Sequence, residues 1–156
     1  MAKIRFYRNS DREALIDLLV ACERFHQTPL PPKKQLRKVL RKLPPGVEIL
    51  VAEDKKTLIG FASIGTLFPA LAGKPQLYLK EIFIAPGHRG KSLGSQFFNV
   101  LIKLAAKRDC TRIDWSTHIE NLPAQKFYKK LGATKTTNIF YSLQGKSLKS
   151  ARHKSG

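Results

Sequence analysis

The chain has 156 residues, of which 42% are hydrophobic, and 29 Lys plus Arg against 11 Asp plus Glu give a formal net charge of +18. This length is typical of one domain, and the apolar content is enough for a core, so disordered and collagen-like classes are excluded. No apolar run approaches the roughly 20 residues of a membrane-spanning helix, and charges stand where a secretory signal would be apolar.

The cysteines indicate the cell compartment of the protein, and the charges indicate the class of ligand that it favours. Cys22 and Cys110 lie far apart without CxxC pairing, so we expect reduced thiols in the cytoplasm, and neither a disulfide framework nor a bound metal. The positive charge is spread along the whole chain, which favours polyanions and repels cationic ligands over about a Debye length. Charge alone does not name the partner.

The first half of the chain predicts a strand, two helices and a hairpin. Alternating apolar and charged residues predict the strand over 3–7. A helix over 11–26 has apolar residues at i, i+3, i+4 and i+7, and Ser10 with Glu13 forms a capping-box pattern at its start. The elements that follow are a basic helix over 33–43 and two antiparallel strands over 48–53 and 58–68.

The second half predicts three strands, two helices and a basic tail. In chain order they are a strand over 76–85, a helix over 93–109, a strand over 112–117, a helix over 121–131 and a last strand over 139–143. This order predicts an α/β (α+β) fold with a single mixed, mostly antiparallel sheet flanked by helices. We expect one domain over residues 1–145 and a mobile tail over 146–156, which is polar, basic and without periodicity.

The segment from Leu79 to Gly94 carries the first chemical pattern, in which a strand runs through a short loop into a long helix. Gly90 and Gly94 leave room for successive backbone N–H groups to point at one anion, and the helix N-terminus adds partial positive charge. Arg89 and Lys91 add fixed positive charge. The pattern is neither a GxxxxGK[ST] loop nor a GxGxxG turn; it indicates a pyrophosphate cradle, with a plain strand-to-helix turn as an equal alternative.

A second pattern follows over residues 112–133, where a strand ends, Asn121 opens a helix and Tyr128 lies two turns further along the same face. The Arg-x-x-x-x-Gly loop and the N-x-x-A-x-x-FYxxLGA helix together resemble the GNAT acyl-CoA N-acyltransferase superfamily. The resemblance covers residues 3–143 and is greatest to small protein, histone-type and polyamine N-acetyltransferases. It implies a GNAT-like fold and transfer of an acetyl group from acetyl-CoA to a primary amine, by direct attack in a ternary complex.

The resemblance also implies which residues bind acetyl-CoA. The pantetheine arm would pair with the backbone of Ile82, Phe83 and Ile84, and Asn121 would contact the same region. The residues that match the pyrophosphate loop are Arg89, Gly90, Lys91, Ser92, Leu93, Gly94 and Ser95. Ser92 departs from the family pattern, which has glycine there, and we expect the smaller space to weaken or alter the affinity for the cofactor.

Two side chains match the family's proton-transfer positions, and no metal is implied. Tyr128 matches a tyrosine near the thioester sulfur, and we expect it to protonate the leaving thiolate. Glu81 matches an acidic position that serves as general base in some members. A base is needed because an amine with a pKa near 10.4 is protonated at neutral pH. The plainer alternatives are Glu81 as a solvated residue or partner of Lys80, Tyr128 as core packing, and Asn121 as only a helix cap.

The acceptor and other partners are the least defined part of the prediction. The basic helix over 33–43 disfavours polyamines and favours an amine in acidic surroundings, with a solvated lysine-rich face as the alternative. Contact with a nucleic acid or ribosome is a further alternative, as is a homodimer with the strand over 139–143 at its edge, whereas no membrane partner is expected. Two other functions stay open: a CoA-binding module with weakened catalysis, indicated by Ser92, and a basic nucleic-acid-associated protein, indicated by the net charge.

Overall fold

The computed structural model describes the backbone of residues 1–154 and the side chains of residues 1–151. Its strands are β1 (Lys3–Phe6), β2 (Val47–Asp54), β3 (Thr57–Leu67), β4 (Gln76–Ile84) and β5 (Ile113–Trp115). Its α-helices are α1 (Arg12–His26), α2 (Lys33–Arg41), α3 (Leu93–Lys107), α4 (Leu122–Lys130) and α5 (Lys146–Lys154). These elements form two compact units, one over residues 1–118 and one from Ile119 onward.

All five strands belong to the first unit and form one sheet in the order β1-β2-β3-β4-β5. The pairs β1–β2, β2–β3 and β3–β4 are antiparallel, whereas β4 and β5 are parallel. The parallel pair is short, because it involves only residues 77–79 of β4. The predicted single mixed, mostly antiparallel sheet flanked by helices is therefore confirmed, and β4 continues beyond the end of its parallel partner.

Helices cover both faces of this sheet. The buried residues on the face of α1 and α2 are Leu15, Ile16, Leu18, Leu40, Val51, Leu58, Phe61 and Phe83. On the other face α3 packs so closely on β3 that a Cβ added to Gly60 would lie 3.4 Å from the Phe97 ring. Each fully buried Leu or Phe side chain stabilises the fold by about 1.5–3 kcal/mol, which is why the apolar stripes of these helices predict their existence well.

A charge network joins β1 and β2 to the start of α1. The Asp11 carboxylate accepts hydrogen bonds from the Arg5 guanidinium at 2.7 and 2.9 Å and from the Arg8 N–H at 2.7 Å. Arg5 also donates to Glu53 of β2 at 2.6 and 2.8 Å. The hydrogen bonds from Arg5 hold the pKa of Asp11 below its usual range. Asp11 therefore closes the 3₁₀ turn over residues 9–11, from which α1 continues.

The predicted capping box of Ser10 and Glu13 is wrong. Glu13 is exposed and accepts hydrogen bonds from Arg37 of α2 at 2.9 Å, so it does not turn back to the helix start. The two residues have the right types at the right spacing, but the capping contact is made by Asp11, which accepts a hydrogen bond from the backbone N–H of Arg8. The helix itself begins one residue after the predicted position.

The predicted strand over 139–143 is also wrong. These residues have no regular structure, and Ile139, Phe140 and Tyr141 are 76%, 82% and 87% exposed. A β-strand is stable only with a hydrogen-bonded neighbour, and the second unit contains no other strand in its described residues. The sequence of residues 139–143 therefore has the alternation of a strand, but no strand in the part of the chain that the structure describes pairs with it.

Residues 146–154, for which the sequence predicts no regular structure, form the helix α5. Its start is fixed locally, because the Ser147 hydroxyl donates to the Gln144 carbonyl at 2.7 Å and accepts from the Gln144 N–H at 3.0 Å. A short polar helix of this kind lacks the apolar stripe on which the prediction depended. In residues 1–154, no helix is both long enough and apolar enough to cross a membrane.

Candidate active site

One edge of β4 is the first feature of the candidate site. β4 pairs with β3 along its length but with β5 only over residues 77–79, so residues 80–84 have an edge facing away from β3 that β5 does not cover. We call this the free edge of β4. In an antiparallel pair, the backbone N–H and C=O groups point alternately toward and away from the partner. Ala85 donates its N–H to the Ile59 carbonyl, which fixes the phase of this alternation.

The three residues predicted to bind pantetheine differ in the direction of their backbone groups. Phe83 lies opposite Phe61 in a hydrogen-bonded pair, so its backbone groups point toward β3. Ile82 and Ile84 alternate with it, so their groups point to the free edge, where the Ile84 carbonyl accepts from Arg89 Nε at 2.9 Å. Ile82 and Ile84 therefore have the orientation that an extended ligand needs, whereas Phe83 contributes its ring to the core.

A one-residue bulge in β4 determines where Glu81 points. Ser63 of β3 faces Glu81 while the next residue, Ile64, faces Leu79, which leaves Lys80 as the extra residue. Side chains alternate along a strand, and an extra residue reverses that alternation. Glu81 therefore lies on the face covered by α1 and α2, although uninterrupted alternation would place it with Leu79 on the α3 face. The bulge also coincides with the end of the β4–β5 pairing, and bulges bend their strands.

Glu81 is exposed and lies near Cys22 of α1. Burial first, and then the negative charge of Glu81, raise the pKa of the Cys22 thiol to about 11, against a decrease from the positive charge of Arg89. The thiol is protonated at neutral pH and is therefore no nucleophile. The charges of Glu81 and Arg89 therefore both act on Cys22 of α1.

The loop over residues 89–92, which we call the anion loop, leads into α3. The first N–H groups of a helix have no acceptor within the helix, and no side chain caps those of α3. Gly90 has φ 73°, and Ser92, at the N-cap, has φ 59° and ψ 4°. A non-glycine residue in this left-handed region costs about 1–2 kcal/mol. The first turn that follows consists of Leu93, Gly94 and Ser95. With Lys91 exposed beside it, the loop combines positive charge with unsatisfied N–H groups at the helix start, and both favour an anion.

The Arg89 side chain turns back toward β4. In addition to its hydrogen bond with the Ile84 carbonyl, its Cζ lies 4.0 Å from the ring centroid of Phe25 and 5.6 Å from that of Phe83. Phe25 belongs to the last turn of α1. Sequence reasoning missed Phe25, although it lies three residues after Cys22 and thus extends the apolar stripe of α1 by one turn. Its contact with Arg89 is a property of the folded chain that the stripe does not reveal.

The second unit carries the other two predicted site residues on α4. Asn121 Oδ1 accepts a hydrogen bond from the Ala124 N–H at 3.3 Å, which confirms the helix-cap alternative for Asn121. Tyr128 is half-buried, with its ring centroid 5.5 Å from that of Phe127. Burial raises the pKa of the Tyr128 hydroxyl, which keeps it protonated at neutral pH. Their roles toward a ligand stay predictions.

Comparison with known proteins identifies the family. Residues 12–133 match the acetyltransferase (GNAT) family, and because this is more than half of the sequence, the chain belongs to that family. It is 31% identical over 88 residues to a putative [ribosomal protein bS18]-alanine N-acetyltransferase of Bacillus subtilis, which is 56% of this chain and 54% of that protein. It is 28% identical over 74 residues to an L-ornithine N5-acetyltransferase of Arabidopsis thaliana, which is 47% of this chain and 32% of that protein. The chain thus spans about half or less of the length of the curated relatives it matches.

Solved structures share the fold. An integron cassette protein from the mobile metagenome of V. cholerae is 26% identical with a TM-score of 0.87, over 97% of both chains. An aminoglycoside N-acetyltransferase in complex with CoA is 18% identical with a TM-score of 0.74, over 92% of this chain and 95% of that chain. At that identity the second likeness concerns the fold alone. The predicted GNAT-like fold is confirmed.

Proposed function

We propose that this chain is an acetyl-CoA-dependent N-acetyltransferase, which moves an acetyl group to a primary amine by direct attack in a ternary complex. The observation that carries the proposal is the free edge of β4 followed, one loop later, by an uncapped helix N-terminus. Membership of the GNAT acetyltransferase family supports it. Acetyl-CoA supplies the thioester that the amine attacks.

The residues fit an elongated ligand with a pyrophosphate at one end. Ile82 offers its backbone N–H and C=O, and Ile84 its N–H, to the pantetheine arm, in the way that a sheet edge accepts an added strand, while Arg89 holds the Ile84 carbonyl. Lys91 and the first N–H groups of α3 hold the pyrophosphate, because fixed positive charge and unsatisfied donors both favour an anion there. Asn121 contacts the pantetheine region in addition to capping α4.

Two proton transfers and one stabilising contact complete the proposed reaction. Glu81 takes the proton that the amine must lose to become nucleophilic, directly or through a water molecule. The Ile82 N–H, at the free edge, stabilises the negative charge that develops on the thioester oxygen as the C–N bond forms. Tyr128 donates its hydroxyl proton to the sulfur as the C–S bond breaks, and the proton that the nitrogen loses in forming the amide restores the hydroxyl.

We propose an acceptor amine in acidic surroundings, and a cytoplasmic location in accord with the free thiols of Cys22 and Cys110. The two relatives are named for different acceptors, an alanine of a ribosomal protein and ornithine, so family membership does not fix the acceptor. The cationic residues of α2 are Lys33, Lys34, Arg37, Lys38 and Arg41. Among them Arg37 is paired with Glu13, and the lysines around it attract carboxylates and repel polyamines.

A CoA-binding module with weakened catalysis is the second candidate function. Ser92 favours it, since a non-glycine residue in a left-handed conformation makes the anion loop harder to form. The exposed position of Glu81 is a second reason, because a general base works best where water is excluded. Turnover with an amine acceptor separates this candidate from an active enzyme, whereas binding of CoA is common to both.

Calorimetric titration with acetyl-CoA at about 150 mM salt tests the cofactor site, with ATP as the control for simple anion binding. Saturable binding tighter than that of ATP is expected, and binding no tighter than ATP contradicts the proposal. Gly94→Glu adds bulk and negative charge in the first turn of α3 and should abolish binding. Gly87→Glu is the matched control, because it adds the same charge where a Cβ meets nothing within 4 Å, and it should retain binding.

A further inference from the structure

The contacts of Arg89 are directed at the protein. Its Nε–H donates to the Ile84 carbonyl, and its Cζ lies over the ring of Phe25 at 4.0 Å and over that of Phe83 at 5.6 Å. A planar guanidinium makes both contacts at once, since it stacks on an aromatic face while its edge donates hydrogen bonds. A lysine carries the same charge without that shape. The side chain therefore uses the geometry of arginine, and not only its charge.

Phe25 lies where the chain leaves α1, in a region with few other anchors. Residues 24–29 are all exposed, and Phe25 is 53% exposed with Arg89 stacked on it. Gln27 ends the helix in a left-handed conformation with φ 54°. The connection to α2 is then tied to the end of α1 by hydrogen bonds from the Leu30 N–H to Glu23 Oε1 at 2.9 Å and from the Thr28 hydroxyl to the His26 carbonyl at 3.5 Å. Phe25 is thus attached to β4 in two ways, through Arg89 and by the contact of its own ring with that of Phe83, with the ring centroids 6.3 Å apart.

We propose that Arg89 is a positioning residue, which holds the end of α1 and the connection over residues 27–32 against β4 and thereby couples the anion loop to the acceptor side of the site. The inference rests on the proposed function, in which Glu81 meets the acceptor on the same side of β4. It removes Arg89 from the pyrophosphate ligands that the resemblance implied. Lys91 and the N–H groups at the start of α3 remain in that role.

The coupling follows from the position of Arg89 between two segments. A ligand in the anion loop restrains the backbone of residue 89, and the stacked side chain passes that restraint to Phe25. Two ligands that each require the same segment to be ordered favour one another's binding, and this effect is reciprocal. CoA should therefore order residues 23–32, and the acceptor should bind about fivefold or more tightly to the CoA-loaded protein.

Hydrogen exchange of peptides covering residues 23–32 tests the inference without an identified acceptor. We expect CoA to slow exchange in this segment of the wild type by about fivefold or more. Arg89→Lys keeps the charge and should lose this protection, while its CoA affinity, measured by calorimetry, stays near the wild-type value. Lys91→Ala is the matched control within the loop, and it should lose CoA affinity but keep the protection at saturating CoA.

A second variant, and the exchange of another segment, distinguish a local effect on residues 23–32 from a loss of stability of the whole fold. Phe25→Leu removes the aromatic face but keeps an apolar side chain, and it should raise exchange over residues 23–32 as Arg89→Lys does. Exchange in β3 should be unchanged in both variants, because a purely structural defect would raise it there too.

Two outcomes overturn the inference. One is a large loss of CoA affinity in Arg89→Lys with normal protection of residues 23–32, which would make Arg89 a pyrophosphate ligand. The other is exchange over residues 23–32 that neither variant changes. Failure of the wild type to bind CoA contradicts the proposed function instead, and it is distinguishable because Arg89→Lys should raise exchange in this segment even in the free protein.

Discussion

Ser92 has a backbone conformation that suits glycine better than serine, with φ 59° at the start of α3. We expect Ser92→Gly to raise the free energy of unfolding by about 0.5–1 kcal/mol, which is the relief of the Cβ clash less the greater freedom of glycine in the unfolded chain. The hydrogen bond from Gln96 to Ser92 Oγ, 3.2 Å long and exposed, is a minor loss. The same change should tighten acetyl-CoA binding. Urea unfolding and calorimetry measure the two effects.

Ser95→Gly is the control for this prediction. Ser95 lies in the first turn of α3 with ordinary helical geometry, so glycine there should lower the free energy of unfolding by about 0.5–1 kcal/mol. Equal effects of the two substitutions would show that the left-handed conformation of Ser92 carries no strain.

Tyr128 should affect turnover and leave cofactor binding intact. Tyr128→Phe removes the hydroxyl proton but keeps the half-buried ring, so we expect kcat to fall by about 100-fold on the scale of general acid catalysis. The Kd of acetyl-CoA should change little. Tyr141→Phe, at a residue 87% exposed, is the matched control and should have wild-type kinetics. An unchanged kcat in Tyr128→Phe would remove this residue from the mechanism.

At the scale of elements, the attachment of β1 to α1 depends on Asp11, which is 9% exposed and bound by Arg5. Asp11→Ala leaves the Arg5 guanidinium partly unpaired and the Arg8 N–H without its acceptor. We expect the free energy of unfolding to fall by about 2–3 kcal/mol at pH 7. Glu13→Ala, which breaks an exposed ion pair, should have little effect on the unfolding midpoint and is the control.

The pH dependence of this effect has a definite sign. The pKa of Asp11 is lower in the folded protein than in the unfolded chain, so its stabilising contribution is complete above the unfolded value of about 3.9. The contribution is lost as pH falls through the folded value. The difference in stability between the wild type and Asp11→Ala should therefore be full at neutral pH and shrink in acid. A difference that grows on acidification would rule out this account of Asp11.

The sequence predicts the helices and paired strands well, because each has a periodic apolar face that a neighbour buries. The sequence also predicts the position of the anion loop, because glycine and cationic residues between a strand and a helix can be recognised without knowing the rest of the fold. The bulge at Lys80 and the phase that separates Phe83 from Ile82 and Ile84 were not predictable, because both are properties of the pairing between β3 and β4. The segment over 139–143 shows the converse case, a strand pattern without a partner strand.

At the scale of the whole molecule, the charge of +18 attracts every polyanion, and salt separates this attraction from a shaped site. A short RNA bound through six to ten phosphates should lose about 10³–10⁵ in affinity between about 50 and 200 mM salt. Acetyl-CoA should lose much less, because in the proposed complex its pantetheine arm pairs with uncharged backbone groups of β4. Titrations of both ligands across this range measure the two slopes, and equal slopes would favour the nucleic-acid alternative.

The extra residue in β4 also bears on which changes of chain length the protein can tolerate. Deleting Ile82 would reverse the alternation of side chains in the part of β4 that follows the deletion. Phe83 would then turn away from the core. Deleting Lys80 instead leaves Glu81 and Leu79 opposite their present partners, so every core side chain keeps its face. It would, however, straighten β4 and let it pair further along β5. Loss of this one codon should therefore close the edge at which we propose that acetyl-CoA binds while the domain still folds, which makes folding and binding separable at a single position.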